Sequence, residues 1–510
     1  MSLPPSRNNA LALLAVCLGA LMFGLEITSV PVILPRLEEV LQGDFRELQW
    51  VMNAYTLACT TVLMATGTLA DRFGRKRVFL ISVAAFGATS MLCGLAGSMA
   101  LLIAGRLLQG LAGGAMLICS IALLSHQFQD ARDRGRAFAT WGVVSGIGLG
   151  FGPIVGSAII ALAGWEWIFL VHLPLALLTF AIAAGTITES RDPDASRLDV
   201  AGILTLSLAV FGLVYVITQG AALGLSASIA VAAATAGCFA AFLFAERRQA
   251  HPMFDFSVFR NRSFSGAILG CIAMNLSYWP FMIYLPIYLQ IGLGYDTLTT
   301  GLCLLAYTLP ALIFPPLGER LSLGYGPGVV IPAGLATIGL GFIAMKFGSI
   351  AAEPGWLTML PGMLLAGIGI GITNTPVTNT TTASVSPRRA GMASGIDMSA
   401  RLITLAVNIA LMGIILVEGI AAALRRTAPT SVDLNQLRTA AEAVAAGQAV
   451  IGNLPEAAVQ HGLRAGFGLV MIYGGAAALI LAISSFALFR PGRKASRLRP
   501  DEETGSGYAL

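Results

Sequence analysis

The chain has 510 residues, of which 56% are hydrophobic and 11% charged, and it carries a formal net charge of +5. A composition this apolar excludes a string of water-soluble domains and points to a protein that crosses a bilayer many times. The basic residues form no block interleaved with aromatics, so nucleic acid is not indicated as a partner.

The first apolar run extends from Leu11 to Pro35, longer than a signal-peptide core and without a small-x-small cleavage site behind it, and reads as a first span. Its one charged side chain is Glu26, in FGLEITSV. A carboxylate near the bilayer centre costs a few kcal/mol, so it is expected to face a cavity or a partner and to bind and release a proton. The plainer reading is a side chain snorkelling to an interface about 13 Å away.

At 1.5 Å rise per residue and about 30 Å of hydrocarbon, fourteen runs are long enough to cross. They centre near Met22, Thr60, Ala85, Ala112, Gly148, Ala176, Leu208, Ala234, Trp279, Leu309, Ala336, Gly367, Leu405 and Gly475. Most of the 31 lysines and arginines fall in alternate connections and in the two ends, which predicts that both termini are cytoplasmic.

The second span opens with Trp50, Asn53 and Tyr55, and the loop after it holds Gly67, Asp71, Arg72, Gly74, Arg75, Lys76 and Arg77. Positive-inside charge accounts for the basic members of that loop. A tight turn between Gly67 and Gly74 would also let Asp71 cap a helix of the other half and act as a latch. Arg106, in span four, sits at a depth similar to that of Glu26; always charged, it is either a partner for the carboxylate or a structural clamp. In span five, Gly142, Gly146 and Gly150 form one small-residue row and Gly148, Gly152 and Gly156 another, with Pro153 between, so backbones can approach on two faces. His172, in span six, is expected to be a hydrogen-bonded packing residue rather than a proton carrier, the alternative a histidine in a span leaves open.

Span nine reads NLSYWPFMIYLPIYLQ from Asn275. Tyr278, Trp279, Phe281, Tyr284 and Tyr288 offer π faces worth about 0.5 to 2 kcal/mol each to a cation, and with Trp50, Asn53, Tyr55 and Trp141 they predict a loosely selective aromatic cavity. Some of them must instead be interfacial or packing residues. Asp397 and Arg401 share a face of span thirteen, with Asn408 further along, either as a self-neutralising pair or as a second titrating site. The segment 426–461 is read as a solvated spacer whose Ala-rich middle can form a helix on the surface. All seven cysteines fall in spans and read as small packing residues.

An internal echo links RGRAFATWGVVSGIG from Arg134 with PRRAGMASGIDMSAR from Pro387, and Gly110–Met116 with Gly367–Thr373. Two six-span halves, 1–190 and 263–510, are therefore expected around a central segment, 191–262, that carries two extra spans. No phosphate-binding loop, HExxH or GxSxG is present, so neither ATP nor an enzymatic site is indicated and the energy source is expected to be an ion gradient, with no cofactor.

GTLADRFGRK, Gly67 to Lys76, resembles the loop signature of the major facilitator superfamily, and GLGFGPIVGS, Gly148 to Ser157, resembles the span-five signature of its antiporter branch. With LEITSVPVILP from Leu25, WVMNAYTLA from Trp50 and RLLQG from Arg106, the chain resembles the fourteen-span drug:proton antiporters of that superfamily. The chain departs from the family pattern in having Glu26 for an aspartate, His172 for an asparagine, and Asp397 at an apolar position. The resemblance implies an all-α major facilitator fold and a role for Arg106 in proton transfer. It also implies a monomeric exporter of lipophilic, often cationic compounds in a bacterial inner membrane, driven by protons. A transporter of one metabolite or lipid, and a non-transporting receptor or assembly factor, stay open at this point.

Overall fold

A computed structural model describes residues 7–128, 131–191, 200–248, 256–351, 353–385, 390–427, 434–446 and 455–489. Every regular element among them is helical. The first half comprises α1 (Arg7–Leu41), α2 (Phe45–Phe73), α3 (Arg75–Gly94), α4 (Met99–Gln127), α5 (Ala131–Ala163), the single turn α6 (Trp167–Leu170) and α7 (His172–Thr186). Next come α8 (Val200–Leu223) and α9 (Leu225–Arg248). The second half holds α10 (Arg262–Leu276), α11 (Tyr278–Ile287), α12 (Thr297–Ile313), α13 (Pro315–Tyr325), α14 (Pro327–Ser349), α15 (Trp356–Ala383), α16 (Ala390–Thr427), α17 (Leu434–Ala446) and α18 (Glu456–Phe489).

Among the described residues, twelve helices or helix pairs are long and apolar enough to span a bilayer, and α12 with α13, bent by 42° where Pro315 interrupts the helix, makes a thirteenth. The count of fourteen rests on α2. Its 29 residues are long enough, but Asn53, Tyr55 and a series of threonines dilute its apolar character below that of the others. Water-facing turns are closed by side chains: at the start of α2, Asp44 and Glu47 form a reciprocal capping box, worth about 1 kcal/mol. Ser98 and Asp296 cap α4 and α12 more simply, each side chain accepting from the backbone N–H three residues on, Leu101 and Thr299.

Helix pairing repeats between the halves. In the first half α1 packs on α5, α2 and α3 on α4, and α3 on α7; in the second α10 packs on α16, α12 and α14 on α15, and α14 on α18. Each of these pairs is the counterpart of the other in chain order. The halves meet through α5 on α12 and α2 on α16, which are symmetry mates, and through α1 on α11 near the pseudo-axis. Of the extra pair, α8 lies along both α2 and α16 and so covers one seam between the halves, while α9 rests chiefly on α8 and is otherwise exposed.

At the end that carries the α1–α2 turn, the halves share one continuous core. Val30, Ile33 and Leu37 of α1 and Phe45, Leu48 and Met52 of α2 belong to the same buried cluster as Tyr284, Tyr288, Ile409 and Leu416. Toward the opposite end, Ala12, Val16, Phe79 and Leu123 form a separate cluster that takes from the second half Leu402 and, at its margin, Met398. The 426–461 segment is more than a spacer: α17 buries Leu437, Ala441 and Val444 against its neighbours, and Glu442 accepts a 3.1 Å bond from Arg46 of α2. Apolar residues at i, i+4 and i+7 gave its helix a face to bury.

Candidate functional site

Five helices of the first half, α1, α2, α3, α4 and α7, converge on one charge cluster. Glu26 lies 0% exposed on α1, and Arg106 of α4, also fully buried, donates from Nη1 to its Oε1. The same nitrogen donates to Gln109 Oε1 at 2.7 Å, and Nε donates to the Val51 carbonyl of α2 at 3.0 Å. Gln109 passes the network to Ser90 of α3 through a 2.8 Å bond. The guanidinium also lies over the Tyr55 ring, 4.3 Å from its centre, and 5.8 Å from that of Phe169. An arginine fits here because its planar fork can reach a carboxylate, an amide and a backbone carbonyl together while its face lies against an aromatic ring.

His172, the first residue of α7, brings Nδ1 to 3.3 Å from Glu26 Oε2, with its ring edge-on to Phe86. The packing role expected of this histidine is thus incomplete: the imidazole touches the one carboxylate of the first span. Its spacing from Glu26 in sequence gave no sign of that, since only the α1–α7 packing brings them together.

Beside the cluster, Ile27 of α1, Met52, Tyr55 and Thr56 of α2, Trp279, Met282 and Ile283 of α11 and Leu405 of α16 line a narrow cleft between the halves. Tyr55 is thus shared: it lines the cleft and carries Arg106 over its ring. The break at Ser277 aims α11. Pro280 cannot supply the N–H that would continue α10, so the helix restarts at Tyr278 and turns Trp279, Met282 and Ile283, related by i+3 and i+4, toward the cleft.

The family model described as Major Facilitator Superfamily matches residues 16–407. The chain belongs to this superfamily. This facilitator is 33% identical over 422 residues to the multidrug resistance protein Stp of Mycobacterium tuberculosis, a match covering 82% of this chain and 78% of that one. It is 28% identical to the tetracenomycin C resistance and export protein of Streptomyces glaucescens, over 96% and 93% of the two chains. Among solved structures, a bacterial homolog of the human lysosomal transporter Spinster, in an inward-facing conformation, superposes with a TM-score of 0.68 at 15% identity, over 96% of this chain and all of that one. A partially occluded inward-open xylose transporter from E. coli gives 0.61 at 14% identity, over 96% and 99%. The fold of this facilitator is therefore that of membrane transporters.

Of the aromatic and amide candidates, the cleft collects Tyr55 and Trp279. Trp50 instead packs on Phe211 and Tyr215 of α8, because it points to the seam that α8 covers. Tyr278 stacks on Tyr307 at 4.2 Å, each hydroxyl bonded to the other's carbonyl, and Phe281 packs against Phe342 and Phe467. Both sit on the back face of α11, inside the second half. Asn275 turns its amide back to the Cys271 carbonyl, and Tyr288 is buried against Phe467. Tyr284 joins the halves at the closed end, and Trp141 sits at the edge of the first-half core. Asn53 is fully buried, one turn from Gln49 on the same face, and neither of its polar atoms has a hydrogen-bond partner among the described residues.

Asp397 and Arg401 form a clamp. Arg401 donates to Asp397 at 3.0 Å on its own helix, and to Asn374 at 2.5 Å and Thr378 at 2.9 Å on α15. With every arm of the guanidinium engaged, the pair ties α15 to α16. The glycine rows of α5 divide between the halves: Gly148, Gly152 and Gly156 face Gly24, Thr28 and Ser29 of α1, whereas Gly146 and Gly150 face Leu312 and Thr308 of α12. Pro153 offers its carbonyl to Ser157.

The expected tight turn between Gly67 and Gly74 is not there: Gly67 and Asp71 belong to the last turns of α2, which runs on to Phe73, and the side chain of Asp71 lies outside the described residues. Gly74 has φ of +110°, which permits the sharp turn into α3. The cap on α3 is a residue that sequence reasoning missed: Glu189, just past α7, accepts from the backbone N–H of Lys76 at 3.0 Å and Arg77 at 3.1 Å. Lys76 adds a bond from Nζ to the Ala184 carbonyl, while Arg75 donates its N–H to Ser190 and Arg72 stays exposed beside Phe73.

Proposed function

We propose that this facilitator is a proton-coupled multidrug exporter, a monomer of the bacterial inner membrane that exchanges protons for lipophilic, often cationic compounds by alternating access and uses no cofactor besides the proton gradient. The observation that carries the reading is the placement of Glu26 and Arg106 behind Tyr55, a wall residue of the cleft between the halves. With Glu26 ionised, the charge behind that ring is balanced and a cation can rest against the cleft aromatics. With a proton on the cluster, its net charge is positive and its field repels the same cation. Proton and substrate then oppose each other's binding, which is the condition for antiport.

The names of the relatives, which refer to drug resistance and export, support a small lipophilic substrate. The distribution of lysine and arginine supports cytoplasmic termini, which would turn the closed end outward and leave the cleft reached from the cytosol or inner leaflet.

The test is ethidium transport in everted membrane vesicles energised to an acidic interior. Accumulation that collapses on adding a protonophore is the expected result. Accumulation that survives loss of the proton gradient would sink the coupling, and transport of no cation tested would sink the substrate class.

A further inference from the structure

The two oxygens of Glu26 have different surroundings. Oε1 is taken by Arg106, whereas Oε2 has no hydrogen bond among the described residues and faces His172 Nδ1 at 3.3 Å. His172 is 1% exposed, and neither of its ring nitrogens has a hydrogen-bond partner among the described residues. A buried polar group left unpaired costs about 1–3 kcal/mol, so two such groups this close call for an explanation. A hydrogen on Nδ1 supplies one, because a small turn of the ring would aim the N–H at Oε2 and pair both, in the neutral tautomer as well as in the imidazolium.

Charge balance limits the cluster to one such proton. Arg106 is permanently +1 and ionised Glu26 is −1, so the resting cluster is neutral. One added proton makes it +1; a second would neutralise Glu26 and leave +2 on side chains that are all fully buried. Arg106 already occupies Oε1, whereas Oε2 and both imidazole nitrogens have no hydrogen-bond partner among the described residues, so the place left for that proton is between Oε2 and the ring. The other titratable groups around the cluster are Cys93 of α3 and Tyr55 and Cys59 of α2, all buried. Their ordinary titration ranges lie above neutral pH. No carboxylate other than Glu26 is paired with Arg106 or His172 among the described residues.

We propose that the exchanged proton is held jointly by Glu26 and His172, with the imidazole carrying it while Arg106 keeps the carboxylate ionised. This deepens the coupling reading above and rests on it. The arriving proton completes an imidazolium whose Nδ1–H is shared with Oε2, and its departure returns the neutral ring, with no other bond made or broken.

Purified wild type, His172→Asn and Glu26→Gln in proteoliposomes, assayed for ethidium–proton exchange from pH 5 to 9 and by infrared spectroscopy of the carboxyl stretch, test this. In wild type no protonated-carboxyl band of Glu26 is expected to grow in at the pH where transport titrates. In His172→Asn the proton has only the carboxylate to occupy, so the transport midpoint should move by at least one pH unit and a protonated-carboxyl band absent from Glu26→Gln should appear. An unchanged profile with no new band would overturn the joint site while leaving Glu26 coupling intact. Absence of proton movement with ethidium in wild type would instead overturn the coupling itself. Should His172→Asn not fold, nitrogen NMR of the four histidines in wild type decides: the joint site requires one buried imidazole whose titration shifts on adding ethidium, and its absence rejects the site.

Discussion

Gln49 of α2 donates to the hydroxyl of Tyr284 on α11 at 2.9 Å, and that hydroxyl donates to the Ile409 carbonyl of α16 at 2.5 Å. The first bond ties the first half to the second at the closed end, and the second holds the Tyr284 hydroxyl in place within the second half, inside a shared buried core. Buried hydrogen bonds contribute about 0.5–1.5 kcal/mol each. Tyr284→Phe is therefore expected to move the equilibrium toward opening at this end by roughly ten-fold. In a cysteine-free background, Leu48→Cys should react several-fold faster with a membrane-impermeant thiol reagent when Tyr284→Phe is added. Equal rates would mean that apolar packing alone keeps the end shut.

The Glu26–Arg106 pair predicts a particular pattern of stability. Removing one member leaves a buried charge without its partner, a loss of about 3–5 kcal/mol. Arg106→Ala should therefore lower the thermal midpoint in detergent steeply, and adding Glu26→Gln should recover part of the loss. Glu26→Gln alone should abolish coupled efflux while the protein still inserts. Arg106→Lys should not rescue transport, because an ammonium cannot bond Glu26, Gln109 and the Val51 carbonyl together. Undiminished ethidium efflux in Glu26→Gln would remove Glu26 from the coupling.

The helical architecture was legible because apolar run length is a local property, and so was the need of Glu26 for a buried partner, because an acid in a lipid-length run is costly alone. Partner choice was not local. His172 meets Glu26 only through α1–α7 packing, and Glu189 reaches α3 from a position 113 residues away. The aromatics of α11 misled for a related reason. A helix has two faces, and the restart at Tyr278 decides that Trp279 turns to the cleft while Tyr278 and Phe281 turn to the core. Likewise, the sequence places Asp397 and Arg401 on one face of a helix but gives no sign that Asn374 and Thr378, on another helix, also bond the guanidinium.

Glu189 leads to a prediction in the loop that joins α2 to α3. A carboxylate bonded to the first amides of a helix contributes about 0.5–2 kcal/mol, less when exposed and screened. Glu189→Ala should speed hydrogen exchange at the Lys76 and Arg77 amides and lower thermal stability by about 1 kcal/mol, with Glu189→Gln intermediate. Gly74→Ala should cost more, since its new methyl would sit 2.7 Å from the Glu189 carboxyl on a backbone with φ of +110°. Exchange rates at Lys76 and Arg77 that do not change in Glu189→Ala would show the cap to be dispensable.

The two glycine rows of α5 differ in what a side chain would meet. At Gly152 an added Cβ would overlap the Thr28 hydroxyl of α1, and at Gly156 it would sit 2.9 Å from the Ser29 Cβ. Thr28 also bonds the Gly148 carbonyl at 3.1 Å, so this face of α5 is fixed to α1 with no slack. At Gly142, by contrast, nothing lies within 4 Å of the Cβ position. Gly142→Ala is therefore expected to fold as well as the parent or better, since alanine is favoured over glycine in a helix by about 0.8–1 kcal/mol. Gly152→Val should push α1 from α5, displace Glu26 from Arg106, and lose transport at normal expression. Thermal melting and ethidium efflux of the two variants side by side check this, and a fully active Gly152→Val would show that the spacing of α1 and α5 does not position the carboxylate.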